Sequence, residues 1–296
     1  NKILNWYDIN KRSLPWRKRF SLKKKQYYTL VSEFMLQQTQ VTTVIPYFNR
    51  FIKNIPDLET LANFDEQKLI KFWEGLGYYS RVRNLKKTAQ VIVKDFNKKL
   101  PSNFLELKSL PGIGDYTASA ISAIAFNKPL IPLDGNVERV LKRYLYLKKK
   151  NLIQKENLIK QKKIFGTSRR SSDYAQALME LGTLICKPNN PLCAKCPISR
   201  KCTSFIKKDF TLTKITKKNK DKYFLLKVYK KNNKYLLVKN DKFKFLKNLN
   251  IFPMTELIKP KNFKQNMNFK MSNMNMSVKI ENNKIIKAIP FSYWID

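Results

Sequence analysis

All four cysteines of the chain lie within the short stretch CKPNNPLCAKCPISRKC. They are Cys186, Cys193, Cys196 and Cys202, in the spacing C-x6-C-x2-C-x5-C. No secretion signal opens the sequence, and thiols stay reduced inside cells, so the pattern favours a metal site over disulfides. Four thiolates can hold either a structural zinc ion or a [4Fe-4S] cluster, and the spacing alone leaves both open.

Carboxylates, tyrosines and lysines must supply any acid or base chemistry, because the 296-residue chain contains no histidine. Glu33 is a candidate general acid, since it lies on a predicted helix among apolar neighbours such as Phe34 and Met35. Burial there would raise the pKa of its carboxyl group. Asp134 opens the stretch DGNVERVLKR, the start of another predicted helix. An aspartate there is a common N-cap, so capping alone would explain it.

Two of the seven glycines, Gly112 and Gly114, lie in the stretch LPGIGDYTASAISAIAF, just before a predicted helix. Glycine is favoured where the backbone takes a positive φ or approaches another molecule closely. A tight turn that opens a helix also leaves amide N–H groups free to bind a phosphate. A simple turn between two packed helices is the alternative interpretation.

The net charge of +39 and the pI of about 10.1 favour a polyanionic partner such as nucleic acid. However, lysine far outnumbers arginine, with 49 Lys against 11 Arg. An A+T-rich genome would produce that excess whatever the function, so charge alone does not settle the partner. No apolar run reaches the roughly 18 residues that span a bilayer, which predicts a soluble, intracellular protein without a membrane partner.

The chain divides into a helical part and a part with strands. Residues 1–205 form the predicted helical domain, residues 206–221 a Lys- and Thr-rich linker, and residues 222–296 a smaller domain that opens with two strands joined by an Asn-containing turn. Apolar residues at helical spacing predict helices over residues 28–38, 66–73, 81–95, 103–110, 115–126, 136–148 and 171–185.

The motifs LPGIGDYTA and LDGNVERVL, followed by the cysteine spacing, resemble the helix-hairpin-helix superfamily of DNA glycosylases that carry an iron–sulfur loop. Within it, NWYDINKRSLPWR, SEFMLQQTQV and GLGYYSRVRNL are similar to the adenine DNA glycosylases, the MutY family. The resemblance spans residues 5–205. It implies a mainly α fold with two helical subdomains, and a [4Fe-4S] cluster on all four cysteines of residues 186–202.

The resemblance also implies a function, namely a monofunctional glycosylase of base excision repair. Its partner would be double-stranded DNA in which adenine is mispaired with 8-oxoguanine or guanine. The protein would act as a monomer in the bacterial cytoplasm, associated with the nucleoid.

Catalytic roles follow from the same resemblance. Breaking an N-glycosidic bond passes through an oxocarbenium-like state, which needs an acid for the leaving base and a carboxylate for the sugar cation. By resemblance, Glu33 protonates adenine at N7 and later handles water. Asp134 then stabilises or traps the sugar, and Tyr116 and Asn136 support the site.

Two alternatives remain at this point. Endonuclease III-like lyases carry a lysine nucleophile where this chain has Tyr116, and a Schiff base needs an amine. Tyr116 therefore argues for hydrolysis that leaves the abasic strand intact. The other alternative is a helix-hairpin-helix DNA-binding protein without catalysis, against which the presence of both Glu33 and Asp134 argues.

Base removal requires flipping the target nucleotide out of the duplex. The resemblance implies the following DNA contacts: Tyr78 as a wedge beside the oxidised guanine, Gln37, Gln38 and Thr39 in the gap left by the flipped base, Trp16, Arg17 and Gln176 around the adenine, and Gly112 and Gly114 at a phosphate. Without the resemblance, residues 37–39 would be interpreted as a polar helix end and Tyr78 as a half-buried aromatic residue.

The stretch KYFLLKVYKKNNKYLLVKNDKFKFLKNLNIFPM resembles the first strands of the family's α+β Nudix-like domain, which reads 8-oxoguanine. No acidic Nudix box is present, which excludes nucleotide hydrolysis. The closest counterpart of the family's recognition loop is Met271, Ser272 and Asn273, with Ser272 as the expected base contact and Asn273 in place of a histidine. Because the chain stops just after YWID, we expect this domain to be incomplete.

Overall fold

Helices dominate the first part of the chain, and strands dominate the part that follows. The structure, a computed structural model, describes residues 2–147, 168–211, 220–243, 245–247, 249–258, 260, 263–271, 274–283 and 292–295. The helices are α1 (Lys2–Asn10), α2 (Leu22–Leu36), α3 (Val41–Asn54), α4 (Leu58–Asn63), α5 (Glu66–Trp73), α6 (Ser80–Asp95), α7 (Phe104–Ser109), α8 (Asp115–Phe126), α9 (Gly135–Leu145), α10 (Ser171–Glu180) and α11 (Thr203–Ile206).

The chain separates into two units, Asn1–Thr213 and Lys214–Asp296. The division falls within residues 206–221, for which the sequence predicts a linker. The mainly helical region followed by a small sheet confirms the predicted fold class. None of the described helices is long and apolar enough to cross a membrane.

The first unit contains two main hydrophobic cores. The larger is built around α2, in which every residue from Tyr27 to Met35 is buried. The smaller packs α1 against α9 and α10 through Tyr7, Val137 and Leu178. Two cores on separate helix groups match the two helical subdomains that the sequence resemblance implies.

Helix α2 differs from the predicted span of residues 28–38. It begins at Leu22, where the Ser21 hydroxyl accepts a hydrogen bond from the Lys24 amide at 3.5 Å, and it ends at Leu36. Gln38 has a φ of 57°, a left-handed conformation that an α-helix cannot continue through. Residues 37–39 are therefore a loop.

Helix α3 lies where the sequence analysis assigns no helix. Pro46 sits inside it, and proline removes one backbone hydrogen bond and normally ends a helix. Val44, Phe48 and Phe51 are nevertheless fully buried on one face of α3. Burial of this apolar stripe outweighs the local cost of the proline.

Helices α7 and α8 form a hairpin around the two glycines, and each glycine has a different environment. Gly112 has a φ of +76°, and a Cβ on it would lie 2.7 Å from the Cβ of Asn84. Gly114 has an ordinary φ of −93°, precedes α8, and faces open space. The fold itself thus requires glycine at position 112 but not at position 114.

The second unit contains a sheet of strands β1 (Lys220–Lys231), β2 (Lys234–Lys239), β3 (Asn250–Ile251), β4 (Met254–Leu257), β5 (Met267–Met271), β6 (Met274–Asn283) and β7 (Ser292–Ile295). The main order is β3-β2-β1-β6-β5, with β4 paired to β1 and β7 to β2. Asn232 and Asn233, both at positive φ, form the two-residue turn between β1 and β2. The hydrophobic core of this sheet contains Phe224, Met276 and Val278.

Candidate active site

A cavity of about 500 Å³ opens in the helical unit. Its walls come from α2, α8, α10, the start of α9 and the 3-10 turn Pro15–Arg17. The predicted site residues that line it are Trp16, Arg17, Glu33, Gln37, Gln38, Thr39, Tyr116, Asp134, Asn136 and Gln176. Side chains from five separate segments thus converge on one space of ligand size.

Glu33 lines this cavity from the buried stretch of α2 and is only 6% exposed. Burial raises the pKa of its carboxyl group to about 7, and the nearby charge of Asp134 adds to the rise. A hydrogen bond with Tyr116 and the charge of Arg17 act in the opposite direction. Within the described chain, its Oε2 atom is buried and has no hydrogen-bond partner. Glu33 can therefore carry a proton near neutral pH and offer it to a ligand.

Tyr116 lies beside Glu33 at the first turn of α8. Burial, together with the charges of Glu33 and Asp134, raises the pKa of its hydroxyl well above the ordinary value. The phenol therefore stays protonated and acts as a hydrogen-bond donor. It offers no amine for covalent attack on a sugar.

Asp134 is the N-cap of α9, and one of its oxygens accepts a hydrogen bond from the Val137 amide at 2.6 Å. The other oxygen accepts one from Nδ2 of Asn136 at 3.2 Å. Capping thus engages one carboxylate oxygen, and the second is held by the hydrogen bond from Asn136.

Arg139 holds Asn136 in place. One of its terminal nitrogens donates to Oδ1 of Asn136 at 2.8 Å and to the Gly182 carbonyl at 2.7 Å. Its Nε donates to the Cys186 carbonyl at 2.8 Å. Gly182 lies in the π-helical turn Leu181–Ile185, and a Cβ on it would be 2.6 Å from the Cβ of Asn136. The lack of a side chain there lets the two segments meet.

An ion-pair network around buried Glu180 holds two arginines of the cavity lining, Arg12 and Arg17. Glu180 is fully buried and pairs with Nε of Arg12 at 2.7 Å and with a terminal nitrogen of Arg17 at 2.7 Å. Burial alone would raise the pKa of Glu180, but the two guanidinium groups outweigh it and hold the pKa below its ordinary value. Glu180 therefore stays ionised and orients Arg17 along the cavity.

Three predicted contact residues do not belong to the cavity lining. Tyr78 is 47% exposed and has a φ of 49°, and Gly112 and Gly114 sit on the exposed hairpin. The Gly112 carbonyl is 3.5 Å from Nε2 of Gln37, so the hairpin borders the loop of residues 37–39. Ser272 lies outside the described residues.

The sequence analysis missed Arg12, Glu180, Arg139 and Arg81, all of which organise this region. A signal was available, because the chain has only 11 arginines among 60 basic residues. Lysine cannot replace the planar fork of a guanidinium that bonds several oxygens at once. In a lysine-rich chain, an arginine within a motif therefore marks a multiple hydrogen-bonding position.

The four cysteines are free thiols that line one cavity beside α9. Arg143 lies among them, since a terminal nitrogen donates to Sγ of Cys186 at 3.5 Å and its carbonyl is 3.6 Å from Sγ of Cys202. In the described part of the chain, no three cysteine or carboxylate side chains are grouped closely enough to hold a single metal ion. The four thiols nevertheless line one cavity.

Comparisons with known proteins agree with this arrangement. Residues 31–163 match the family described as "HhH-GPD superfamily base excision DNA repair protein". The chain is 40% identical over 240 residues to the adenine DNA glycosylase of Buchnera aphidicola subsp. Baizongia pistaciae, which covers 79% of this chain and 67% of that protein. It is 38% identical over 259 residues to the adenine DNA glycosylase of Buchnera aphidicola subsp. Schizaphis graminum, covering 85% and 73%.

Among solved structures, a thermostable thymine-DNA glycosylase superposes with a TM-score of 0.62 at 26% identity, over 70% of this chain and 94% of the other. The sequence relatives and the shared fold point the same way. The chain belongs to the HhH-GPD superfamily of base excision DNA repair proteins and, within it, to the adenine DNA glycosylase family.

Proposed function

We propose that the protein removes adenine mispaired with 8-oxoguanine or guanine from double-stranded DNA, without cutting the strand. Family membership makes it a DNA N-glycosylase of base excision repair. The observation that carries the proposal for this chain is Glu33, a buried carboxyl group of pKa about 7 in a cavity shared with the carboxylate of Asp134. These are the acid and the cation-stabilising group that N-glycosidic cleavage needs.

The reaction begins when adenine is flipped out of the duplex into the cavity. Protonated Glu33 transfers its proton to N7 of the base while the bond between C1′ and N9 breaks, and the bonding electron pair leaves with the base. The resulting sugar cation is stabilised by the charge of Asp134, which Asn136 and Arg139 hold in position. Water adds to C1′ and returns a proton to Glu33, which yields an abasic site and free adenine.

Tyr116 makes strand cleavage through a covalent imine unavailable at this position, because a phenol cannot form a Schiff base. This distinguishes the proposed reaction from that of an endonuclease III-like lyase. Its hydrogen bond to Glu33 instead orients the acid.

The proposed contacts on DNA follow from the family resemblance. The residues 37–39 loop fills the gap left by the flipped adenine, Tyr78 enters beside the opposite base, and Trp16, Arg17 and Gln176 bound the adenine. The amides at Gly112 and Gly114 bind a phosphate at the start of α8. In the second unit, Ser272 contacts 8-oxoguanine. The protein works as a monomer on DNA in the bacterial cytoplasm.

A [4Fe-4S] cluster on Cys186, Cys193, Cys196 and Cys202 completes the proposal. The donor set of four thiolates fits either zinc or a cluster, and the similarity to adenine DNA glycosylases supports the cluster. The four thiols line one cavity, as the ligands of one shared group would. When bound, the cluster supplies a structural cross-link that holds the loop. The chain's own part is to present the basic residues of that loop to phosphate, namely Lys187, Lys195, Arg200 and Lys201.

The test is product analysis with the purified parent protein and duplexes that carry adenine opposite 8-oxoguanine, guanine or thymine. We expect release of free adenine from the first two duplexes, an intact abasic strand, and no borohydride-trapped protein–DNA adduct. A trapped adduct with strand cleavage would support a lyase instead. Binding without adenine release would leave only a DNA-binding function.

A further inference from the structure

Arg81, on the first turn of α6, carries a buried guanidinium group and is only 6% exposed. The hydrogen bonds recorded for it in the described part of the chain all go to neutral oxygens. Burial lowers its pKa to about 10, so it remains charged at neutral pH. A buried charge whose recorded hydrogen bonds go to neutral oxygens is a costly arrangement that requires a structural purpose.

The oxygens bound by Arg81 come from two different segments. On one side, a terminal nitrogen reaches the Met35 carbonyl at 2.9 Å, Oγ1 of Thr39 at 3.1 Å, and the Gln37 carbonyl. These oxygens belong to the end of α2 and to the glutamine loop, which we define as residues 37–39.

On the other side, its second terminal nitrogen bonds the Leu76 carbonyl at 2.8 Å and the Gly77 carbonyl at 3.0 Å. These belong to the tyrosine loop, which we define as residues 75–78. The guanidinium also lies between two rings, 5.5 Å from the centroid of Trp73 and 5.6 Å from that of Tyr78. One side chain thus joins both loops.

Each loop contains a non-glycine residue in the left-handed region, with φ 57° at Gln38 and 49° at Tyr78. Such residues persist where the surrounding structure fixes the backbone. The bonds from Arg81 reach the residues on both sides of Gln38 and the two residues just before Tyr78. A lysine has three donors at one point and cannot span both loops as the five-donor guanidinium does.

We propose that Arg81 is a positioning residue that fixes the glutamine loop and the tyrosine loop relative to each other, so that both enter the duplex in register on either side of the flipped base. The inference rests on the proposed function, which places the glutamine loop and Tyr78 in DNA. Arg81 itself is buried and acts through the two loops.

The test compares Arg81→Lys with Arg83→Lys, a matched substitution on the same helix. Arg83 forms an ion pair with Glu66 of α5 at 3.2 Å. Thermal unfolding identifies loss of folding. Single-turnover adenine release is then measured on duplexes with 8-oxoguanine or guanine opposite the adenine. We expect Arg81→Lys to lose on the order of 10-fold or more in rate and to narrow the preference between the two duplexes, while Arg83→Lys matches the parent.

A double-mutant cycle separates positioning from simple stabilisation. Because Arg81 acts in part through Tyr78, adding Arg81→Lys to Tyr78→Ala should cause a smaller further loss of rate than Arg81→Lys causes in the parent, since the positioned ring is already absent. Should Arg81→Lys fail to fold, Thr39→Ala removes one of the bonds and keeps the guanidinium, and the same cycle applies. The inference would be overturned if the two substitutions lowered the rate of adenine release independently. It would also be overturned if folded Arg81→Lys released adenine as fast as Arg83→Lys. A parent that releases no adenine would overturn the proposed function as well, so the two failures are distinguishable.

Discussion

One oxygen of Asp134 lies 2.6 Å from the Val137 amide nitrogen, which makes this carboxylate the N-cap of α9. The same side chain lines the cavity of Glu33, and its second oxygen is held by Asn136 at 3.2 Å. Helix capping and the proposed chemistry are therefore compatible roles of one residue.

This relationship gives a prediction for Asp134→Asn. The amide oxygen can still cap α9, but the negative charge that stabilises the sugar cation is lost. We expect a fall on the order of 10³-fold in single-turnover adenine release, with little change in duplex affinity. Asp65→Asn is the matched control, since Asp65 caps α5 by accepting from the Lys68 amide at 2.8 Å, away from the cavity. Excision by Asp134→Asn within about threefold of the parent would reduce Asp134 to a cap.

The raised pKa of Glu33 predicts a pH-dependent stability. The pKa of the folded carboxyl group is about 7, against an ordinary value of 4.5, so the folded state binds the proton more tightly. The resulting stability is complete at low pH and is lost as the pH rises through about 7. Relative to Glu33→Gln, the parent should lose about 2 to 3 kcal/mol of unfolding free energy between about pH 5 and about pH 8.

Urea unfolding of the two proteins at both pH values measures this change, since shifts of other groups cancel in the difference. A stability difference that stays constant with pH would mean that Glu33 is not desolvated in the folded protein. The rate of adenine release should likewise fall above about pH 7, where Glu33 loses its proton.

The two hairpin glycines should respond differently to substitution. Gly114→Val adds a side chain in open space at an ordinary φ, so the fold should tolerate it. It should obstruct the approach of phosphate and weaken binding to duplexes with or without 8-oxoguanine about equally. Gly112→Ala meets both a φ of +76° and the Cβ of Asn84, and should instead lower thermal stability.

Duplex titrations at fixed salt and thermal melts check this pair. A Gly114→Val variant that lost only its preference for 8-oxoguanine would show that the hairpin does not bind phosphate.

The cysteine loop should hold iron. We expect anaerobically purified protein to contain about four iron atoms per chain and to show the broad visible absorbance of a [4Fe-4S] cluster. Replacing Cys196 with serine should reduce both signals, whatever happens to activity. One zinc atom and no iron per chain would exclude the cluster.

The sequence predicted the fold well where the spacing of apolar residues agrees with the residues that cap helices or form turns. Helix α5 and helix α8 have the predicted bounds, and the Asn232–Asn233 turn joins β1 and β2. It failed where tertiary burial overrides a local signal, as with Pro46 inside α3. The prediction also extended α2 two residues too far, because nothing in the sequence QQT indicates the left-handed backbone at Gln38.

The candidate site followed a similar pattern. Residues within quoted motifs, such as Glu33 and Asp134, could be chosen from sequence, and the structure places them at one cavity. The partners that orient them could not. Arg139 bonds the Gly182 carbonyl, which follows α10 in the chain, and Glu180 pairs with Arg12, which lies near the other end of the helical unit in sequence. Such pairs depend on the tertiary fold, which local spacing does not encode.

The central claim is that Glu33, protonated in its buried site, expels adenine from DNA. Single-turnover release of adenine from a duplex with 8-oxoguanine opposite, compared between the parent and Glu33→Gln at about pH 7, tests it most directly. Glutamine keeps the size of the side chain and removes the transferable proton. The account predicts rapid release by the parent and a loss on the order of 10³-fold or more in the variant, with duplex affinity retained. Release by Glu33→Gln within about threefold of the parent would contradict it.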